Sequence, residues 1–263
     1  MNKSILVLVF FVILTSCVPH KKLVYFQGEP LKKEDIYKIN DAPYKIQTND
    51  VLSITLKSKN EELVALFSNN SSSSSSGNSQ NITAENLYFT GYTIDEHGNI
   101  RLPYVGNLNV LGYTIDEVRE KVKTELKRYI VFDKNIFVTV KLSGVRYTIL
   151  GDISKPGTSV IYQNKVNIIE AIANSGDIIV TGDRTKVEVI RNEFDGLKKY
   201  TIDITQVEMF DSEVFNILPH DIIYINPIKT KSWGIGTTGL QTFTTLASIF
   251  SIIATTILLI QTF

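Results

Sequence analysis

Gly91-Tyr92-Thr93-Ile94-Asp95-Glu96-His97-Gly98-Asn99-Ile100-Arg101-Leu102-Pro103 decides how the middle of the chain folds. Apolar residues alternate on either side of Asp95-Glu96-His97-Gly98-Asn99, a run of turn formers. The pattern predicts a hairpin: strand 92–94, turn 95–99, strand 100–102. Downstream, Thr114-Ile115-Asp116-Glu117 is a capping box, in which the threonine oxygen and the glutamate satisfy first-turn amides. Val118, Val122, Leu126 and Tyr129 then fall on one helical face. Ile136, Val138, Val140 and Leu142 alternate with Phe137, Thr139 and Lys141, the period of a half-buried strand. Upstream, Tyr44-Lys45-Ile46 leads into a turn at Thr48-Asn49-Asp50 and a strand over 51–56. Between them lies a polar stretch with six consecutive serines, Ser71 to Ser76, read as a flexible loop. Residues 42–143 thus read as one α+β unit.

A second unit follows over 144–226. Tyr147 to Leu150 is a strand, and Lys155-Pro156-Gly157 a turn with proline ahead of glycine. Asn167-Ile168-Ile169-Glu170 opens a short helix with a second capping-box pair, closed at Gly176. Strands follow at 187–190, 198–204 and 222–225, the first two joined around Asp195-Gly196. Strand, turn, strand, helix and further strands describe a small ubiquitin-like β-grasp.

Both ends of the chain point to a membrane. A basic start and an apolar run from Ile5 to Leu14 precede Leu14-Thr15-Ser16-Cys17, and Cys17 is the only cysteine. The run has the length of a signal-peptide core and is too short to cross a bilayer. The expectation is a signal peptide over 1–16, thioether lipidation of Cys17, and an extended tether over 17–41. Val18 and the basic His20-Lys21-Lys22 place the anchor on the periplasmic face of a bacterial outer membrane. With no second cysteine, disulfides play no part. At the other end no charged residue follows Lys231. After a hinge over 227–239, residues 240–262 are long enough for a transmembrane helix. Gln241, Thr244, Ser248, Ser251, Thr255 and Thr262 step by threes and fours, within an arc of roughly 80° at 100° per residue. Two readings of this stripe stay open. The hydroxyls bond back to their own helix and ease packing against neighbours, or the stripe lines a water-filled lumen in a ring of identical helices.

Composition excludes several classes. With 27 basic and 27 acidic residues and no basic cluster interleaved with aromatics, nucleic acid is not a partner. Gly234-Ile235-Gly236-Thr237-Thr238-Gly239 satisfies a dinucleotide-binding spacing but follows no strand and has no acidic residue downstream, so it reads as a hinge. His20, His97 and His220 show no metal-ligand spacing. Asp95-Glu96 and Asp116-Glu117 are explained by a turn and a helix start rather than by a glycosidase pair. Trp233, with Lys229 and Lys231 nearby, reads as an interfacial anchor. No catalytic constellation, cofactor site or metal site is expected.

Taken together, these motifs resemble a known family. Tyr44-x-Ile46, Asn49-Asp50-Val51-Leu52-x-Ile54, the Gly91 to Gly106 stretch and Gly112-x-Thr114-x-x-Glu117 resemble the polysaccharide export domain. Gly151-x-Ile153-x-x-Pro156-Gly157, Ile168-x-Glu170-Ala171-Ile172-Ala173-x-x-Gly176 and His220-Asp221-x-Ile223-x-Ile225 resemble the soluble-ligand-binding β-grasp domain that accompanies it. The chain is similar to Wza-type outer-membrane polysaccharide export lipoproteins. The resemblance implies an α+β fold: an export domain, one β-grasp domain and a C-terminal transmembrane helix. It further implies a homo-oligomeric ring, typically an octamer. Capsular polysaccharide or exopolysaccharide would leave through it, handed over by an inner-membrane polysaccharide co-polymerase. Asn49 stands where the family often has glycine, only one β-grasp repeat is evident, and the serine-rich segment looks like an insertion. The alternative is a doubly membrane-anchored glycan- or ligand-binding module that forms no pore.

Overall fold

The computed structural model describes residues 19–28, 43–58, 90–129, 136–193, 195–229 and 239–262. Cys17, the serine run and most of the glycine-rich hinge lie outside them. Two hydrophobic cores organise the described residues.

The first core is a three-stranded antiparallel sheet with a helix on it. Strand β1 (Val51–Lys57) pairs with β2 (Tyr92–Thr93) on one side and with β5 (Phe137–Leu142) on the other. Strands β3 (Asn99–Leu102) and β4 (Gly106–Asn109) form a separate hairpin. Helix α1 (Ile115–Tyr129) starts at the expected capping box: Thr114 N donates to Glu117 Oε2 at 2.7 Å, and Glu117 N to Thr114 Oγ1 at 3.3 Å. Its apolar stripe, Val118, Val122 and Leu126, is buried against Leu52, Ile94, Ile100 and Val140. Two expectations are corrected here. Tyr129, placed on that stripe, is 55% exposed, because it is the last residue of the helix and projects past the sheet. The arms of the quoted stretch do not pair as one ladder. The 95–99 turn forms, with Asp95 N donating to Asn99 O at 3.0 Å, but Tyr92–Thr93 joins β1 while Asn99–Leu102 takes β4.

The second core is a five-stranded sheet in the order β10-β9-β12-β6-β7. Its strands are β6 (Val145–Gly151), β7 (Gly157–Ile161), β9 (Gly182–Glu193), β10 (Gly196–Ile202) and β12 (Ile222–Pro227). Only the central β6–β12 pair is parallel. A short ladder of β8 (Val166–Asn167) and β11 (Asn216–Ile217) lies beside helix α2 (Ile168–Asn174), whose capping box between Asn167 and Glu170 is complete. Tyr147, Ile149, Val187, Val189, Ile223 and Ile225 are fully buried between sheet and helix. Gly151 has φ +92°, and a Cβ there would sit 2.1 Å from Ile225 O, so the parallel pair closes only over a glycine. Leu142, at the end of β5, packs against both cores.

The segment following position 17 is not a loose tether throughout. After a 3₁₀ turn at His20–Lys22, it docks on the second unit. Gln27 N donates to Thr205 O at 2.6 Å and Val207 N to Gln27 O at 2.9 Å. The Phe26 ring stacks on Phe210 with centroids 6.1 Å apart, and Tyr25 OH donates to Asp177. Burial, then the bond to the Asp177 carboxylate, pushes the Tyr25 hydroxyl up to about 12.

Helix α3 (Gly239–Thr262) runs for 24 residues without a charge. Among the described residues, no helix is long and apolar enough to cross a membrane. The helix expected over 240–262 forms, but it is not by itself apolar enough for a membrane span. Six threonines, two serines and two glutamines dilute its apolar residues.

Candidate functional site

Two places in the fold concentrate the polar groups that matter: the junction between the cores and the exposed face of α3.

The junction is built from two copies of one local device. Ile46-Gln47-Thr48-Asn49-Asp50-Val51-Leu52-Ser53-Ile54 and Ile217-Leu218-Pro219-His220-Asp221-Ile222-Ile223-Tyr224-Ile225 share apolar residues and an aspartate at the same spacing. In each, the residue before the aspartate is left-handed, Asn49 at φ +68° and His220 at φ +69°. In each, the aspartate side chain turns back to accept from the backbone three residues earlier. Gln47 N donates to Asp50 Oδ2 and Leu218 N to Asp221 Oδ2, both at 2.8 Å. Positive φ at the third position suits a type II turn in both, and Pro219 holds the second position of the 218–221 turn. The two aspartates are 2% and 1% exposed. Each then starts a central strand of its own core, β1 or β12.

The two turns meet. His220 Nε2 lies 3.5 Å from Asp50 Oδ1, an oxygen that makes no hydrogen bond. Tyr44 OH donates to Asp50 Oδ2 at 2.7 Å. Burial first, and then the Asp50 charge, push the Tyr44 hydroxyl far above its ordinary range, so it stays a donor. Behind His220, Arg191 grips Asp221 with Nε at 3.0 Å from Oδ1 and Nη2 at 2.7 Å from Oδ2. Nη2 also donates to Asn216 O at 2.9 Å. Desolvation still holds the Asp221 carboxyl above the usual carboxylate value, with Arg191 opposing it.

A cleft of about 440 Å³ opens beside this contact. It runs between the start of α1, the edge of β5 and the 216–219 turn. Tyr44, Leu142 and Pro219 contribute to its apolar floor, and Arg119, Lys141 and Lys165 stand along it with Asp116.

Of the six stripe residues on α3, Thr244, Ser248, Ser251 and Thr255 are exposed, while the side chains of Gln241 and Thr262 lie outside the described part. Ser248 Oγ donates to Thr244 O at 2.8 Å, Thr255 Oγ1 donates to Ser251 O, and Thr256 Oγ1 donates to Ile252 O at 2.8 Å. These donors are spent inside the helix, so the hydroxyls present acceptor lone pairs outward. His97 serves its own turn, its amide donating to Asp95 Oδ1 at 2.9 Å. His220, in the 218–221 turn, touches the other unit. The signal that could have found it was the shared nine-residue pattern, which sets His220 and Asn49 in equivalent places. Among the described residues, no group of three or more His, Cys, Asp or Glu could hold a metal.

Comparison with known proteins fits this layout. Residues 39–143 match the polysaccharide biosynthesis/export protein family, and residues 145–225 match the SLBB domain. The EPS I polysaccharide export outer membrane protein EpsA of Ralstonia solanacearum is 31% identical over 57% of this chain and 39% of its own length. The protein of the same name from Ralstonia nicotianae is 29% identical over 67% of this chain and 45% of its own length. The chain thus spans less than half the length of these curated relatives. The export-family match and the SLBB match thus follow one another along most of the chain.

Proposed function

We propose that this protein is a subunit of an oligomeric outer-membrane channel for exopolysaccharide or capsular polysaccharide, lipid-anchored through Cys17 and crossing the membrane as a ring of α3 helices. The observation that carries the reading is α3 itself: 24 residues without a charge, with hydroxyls at Thr244, Ser248, Ser251 and Thr255 on one exposed side. At 1.5 Å per residue the helix is about 36 Å long, enough for a hydrocarbon core of roughly 30 Å. Its polar stripe is costly against lipid and harmless against water, so the helix needs companions. In a ring, Ile249, Phe250 and Ile253, on the side away from the stripe, supply lipid-facing apolar surface. The stripe, in which Ser248 and Thr255 already donate inward, offers acceptors to the hydroxyls of a passing glycan without charge to trap it.

Both anchors leave from the second unit. Tyr25 follows Cys17 by eight positions, a reach of at most about 29 Å at 3.6 Å per residue. Helix α3 begins ten positions after Lys229, which follows β12. This supports a second unit close to the membrane and an export domain reaching into the periplasm toward an inner-membrane co-polymerase. The second unit's first strand, β6, runs parallel to its last, β12, with hairpins outside and one helix across, as a β-grasp requires. No nucleotide-binding pattern accompanies the domains, so the driving force comes from polymerisation or the inner-membrane machinery.

The deciding measurement is the mass of the detergent-extracted, lipidated protein. A discrete assembly several times the 29.6 kDa of the chain supports the channel. A persistent monomer with α3 intact overturns it in favour of an anchored binding module. Because Cys17 is the only cysteine and its sulfur is taken up by lipid, single Ser248→Cys and Ser251→Cys variants give clean labelling sites. Modification by a membrane-impermeant reagent that blocks export places the stripe in a lumen. Labelling only from within lipid removes it from one.

A further inference from the structure

We propose that the turn over Ile179-Val180-Thr181-Gly182 is a third membrane contact of the second unit, entering the headgroup region of the leaflet in which Cys17 is anchored; this rests on the anchoring reading above. Gly182 N donates to Ile179 O at 2.9 Å, so the four residues close as a tight turn. Such turns are usually built from Gly, Pro, Asn, Asp and Ser. Here the first two places hold a branched apolar pair, Ile179 and Val180, 39% and 51% exposed.

The fold puts this pair between both routes to the membrane. On one side lies the strap over Tyr25–Gln27, which follows Cys17. Tyr25 OH donates to the Asp177 carboxylate, and the Tyr25 ring covers the Arg184 guanidinium at 5.3 Å. Arg184 in turn donates to the carbonyls of Ile178 and Ile179, so the strap bears on the near end of the turn. On the other side, Ile228 N donates to Thr181 O at 2.8 Å and Pro227 pairs with Gly182. The chain leaving for α3 therefore bears on the far end. Both leads are short, eight positions from Cys17 to Tyr25 and ten from Lys229 to Gly239. They span at most about 29 Å and 36 Å when extended.

The turn is held outward. Ile178 is buried and bridges to Ile153, Ile179 N donates to Asp152 O at 3.2 Å, and Gly182 packs so tightly that a Cβ would lie 2.3 Å from Ile178. An apolar pair fixed outside the core, between two segments bound for lipid, is complemented by the headgroup and acyl boundary. Nearer still to Cys17 along the chain, Lys21 and Lys22 are exposed and suit phosphate headgroups.

The test reads the surroundings of one probe on the full lipidated protein, in vesicles of phosphatidylethanolamine with a minority of phosphatidylglycerol. Because lipid takes up the Cys17 sulfur, Val180→Cys carries a single fluorescent label. Leu197→Cys is the control: Leu197 is 76% exposed and pairs with Asn192, far along β9 from Gly182. With assembly mass unchanged, the label at 180 should be quenched by nitroxide lipid, and about threefold less by iodide than the label at 197. Adding Ile179→Asp should return the 180 label to iodide. Equal iodide quenching at the two positions overturns the proposal, as does a 180 label that ignores Ile179→Asp. Shielding of 180 from iodide and nitroxide lipid alike also overturns it, and makes the turn a contact between copies. Flotation with the vesicles separates this inference from the reading beneath it. If the protein floats and the 180 label lies in water, only the turn falls. If the protein does not float, the anchoring falls and the turn with it.

Discussion

His220 Nε2 and Asp50 Oδ1 face each other across 3.5 Å, each from the same kind of turn at the head of a different core. Asp50 is the more critical partner. Its other oxygen accepts from Gln47 N and Tyr44 OH, and both donors lose their acceptor in Asp50→Ala. That substitution is expected to cost about 2–3 kcal/mol in urea unfolding. His220→Asn keeps a residue tolerant of positive φ and removes only the half-exposed imidazole, so it should cost no more than about 1 kcal/mol. Its effect should appear instead as faster proteolysis at the 143–144 connection between the units.

Arg191 and Asp221 are both buried, and the pair answers to a different rule. Arg191→Met strands a carboxylate in the second core and is expected to cost about 3–5 kcal/mol. Adding Asp221→Asn removes that charge while leaving an acceptor for Leu218 N. The double variant should therefore be more stable than Arg191→Met alone. A double-mutant cycle with no coupling would show that the pair contributes nothing jointly.

Gly151 and Gly106 both have positive φ, +92° and +84°, but differ in surroundings. An added methyl at Gly106 meets nothing within 4 Å, whereas at Gly151 it strikes Ile225 O. Gly106→Ala should cost about 1 kcal/mol from backbone strain. Gly151→Ala should cost clearly more, because the β6–β12 pair must part. Thermal unfolding of the two variants side by side checks the order.

The Glu117 carboxylate accepts from Thr114 N and Oγ1, and these bonds, the backbone one foremost, hold it below its ordinary value. A depressed folded value means the unfolded chain binds the proton more readily. Its contribution is thus present above the ordinary carboxylate range and lost as pH falls through the lower folded value. Urea midpoints of wild type and Glu117→Ala should differ near neutrality and converge in acid. A gap that persists below that range would mean the box acts through packing alone.

Local devices were legible because their causes are local. Thr114 with Glu117, Asn167 with Glu170, and the alternation ending in Leu142 each depend on groups a few residues apart. What failed depended on distant partners. Tyr92–Thr93 is too short to specify its neighbour, and the buried face of β1 captured it in place of the arm beyond the turn. The strap at Tyr25–Phe26 was read as tether because nothing nearby announces Phe210 or Thr205 as its seat. β4 and the β8–β11 ladder went unread for the same reason, being short and held by their partners.

The sequence by itself determined the two-unit order, the caps, the apolar faces, the lone Cys17 and the charge-free run that becomes α3. All of these follow from spacing along the chain, where periodicity and hydrogen-bonding reach act over a few residues. Only the tertiary structure decided that Asp50 meets His220, that Tyr44 and Pro219 line one cleft, and that the strap docks on the second unit. Those facts depend on which surfaces bury each other, and burial is settled by the whole fold, because the free energy of each contact depends on everything that excludes water around it.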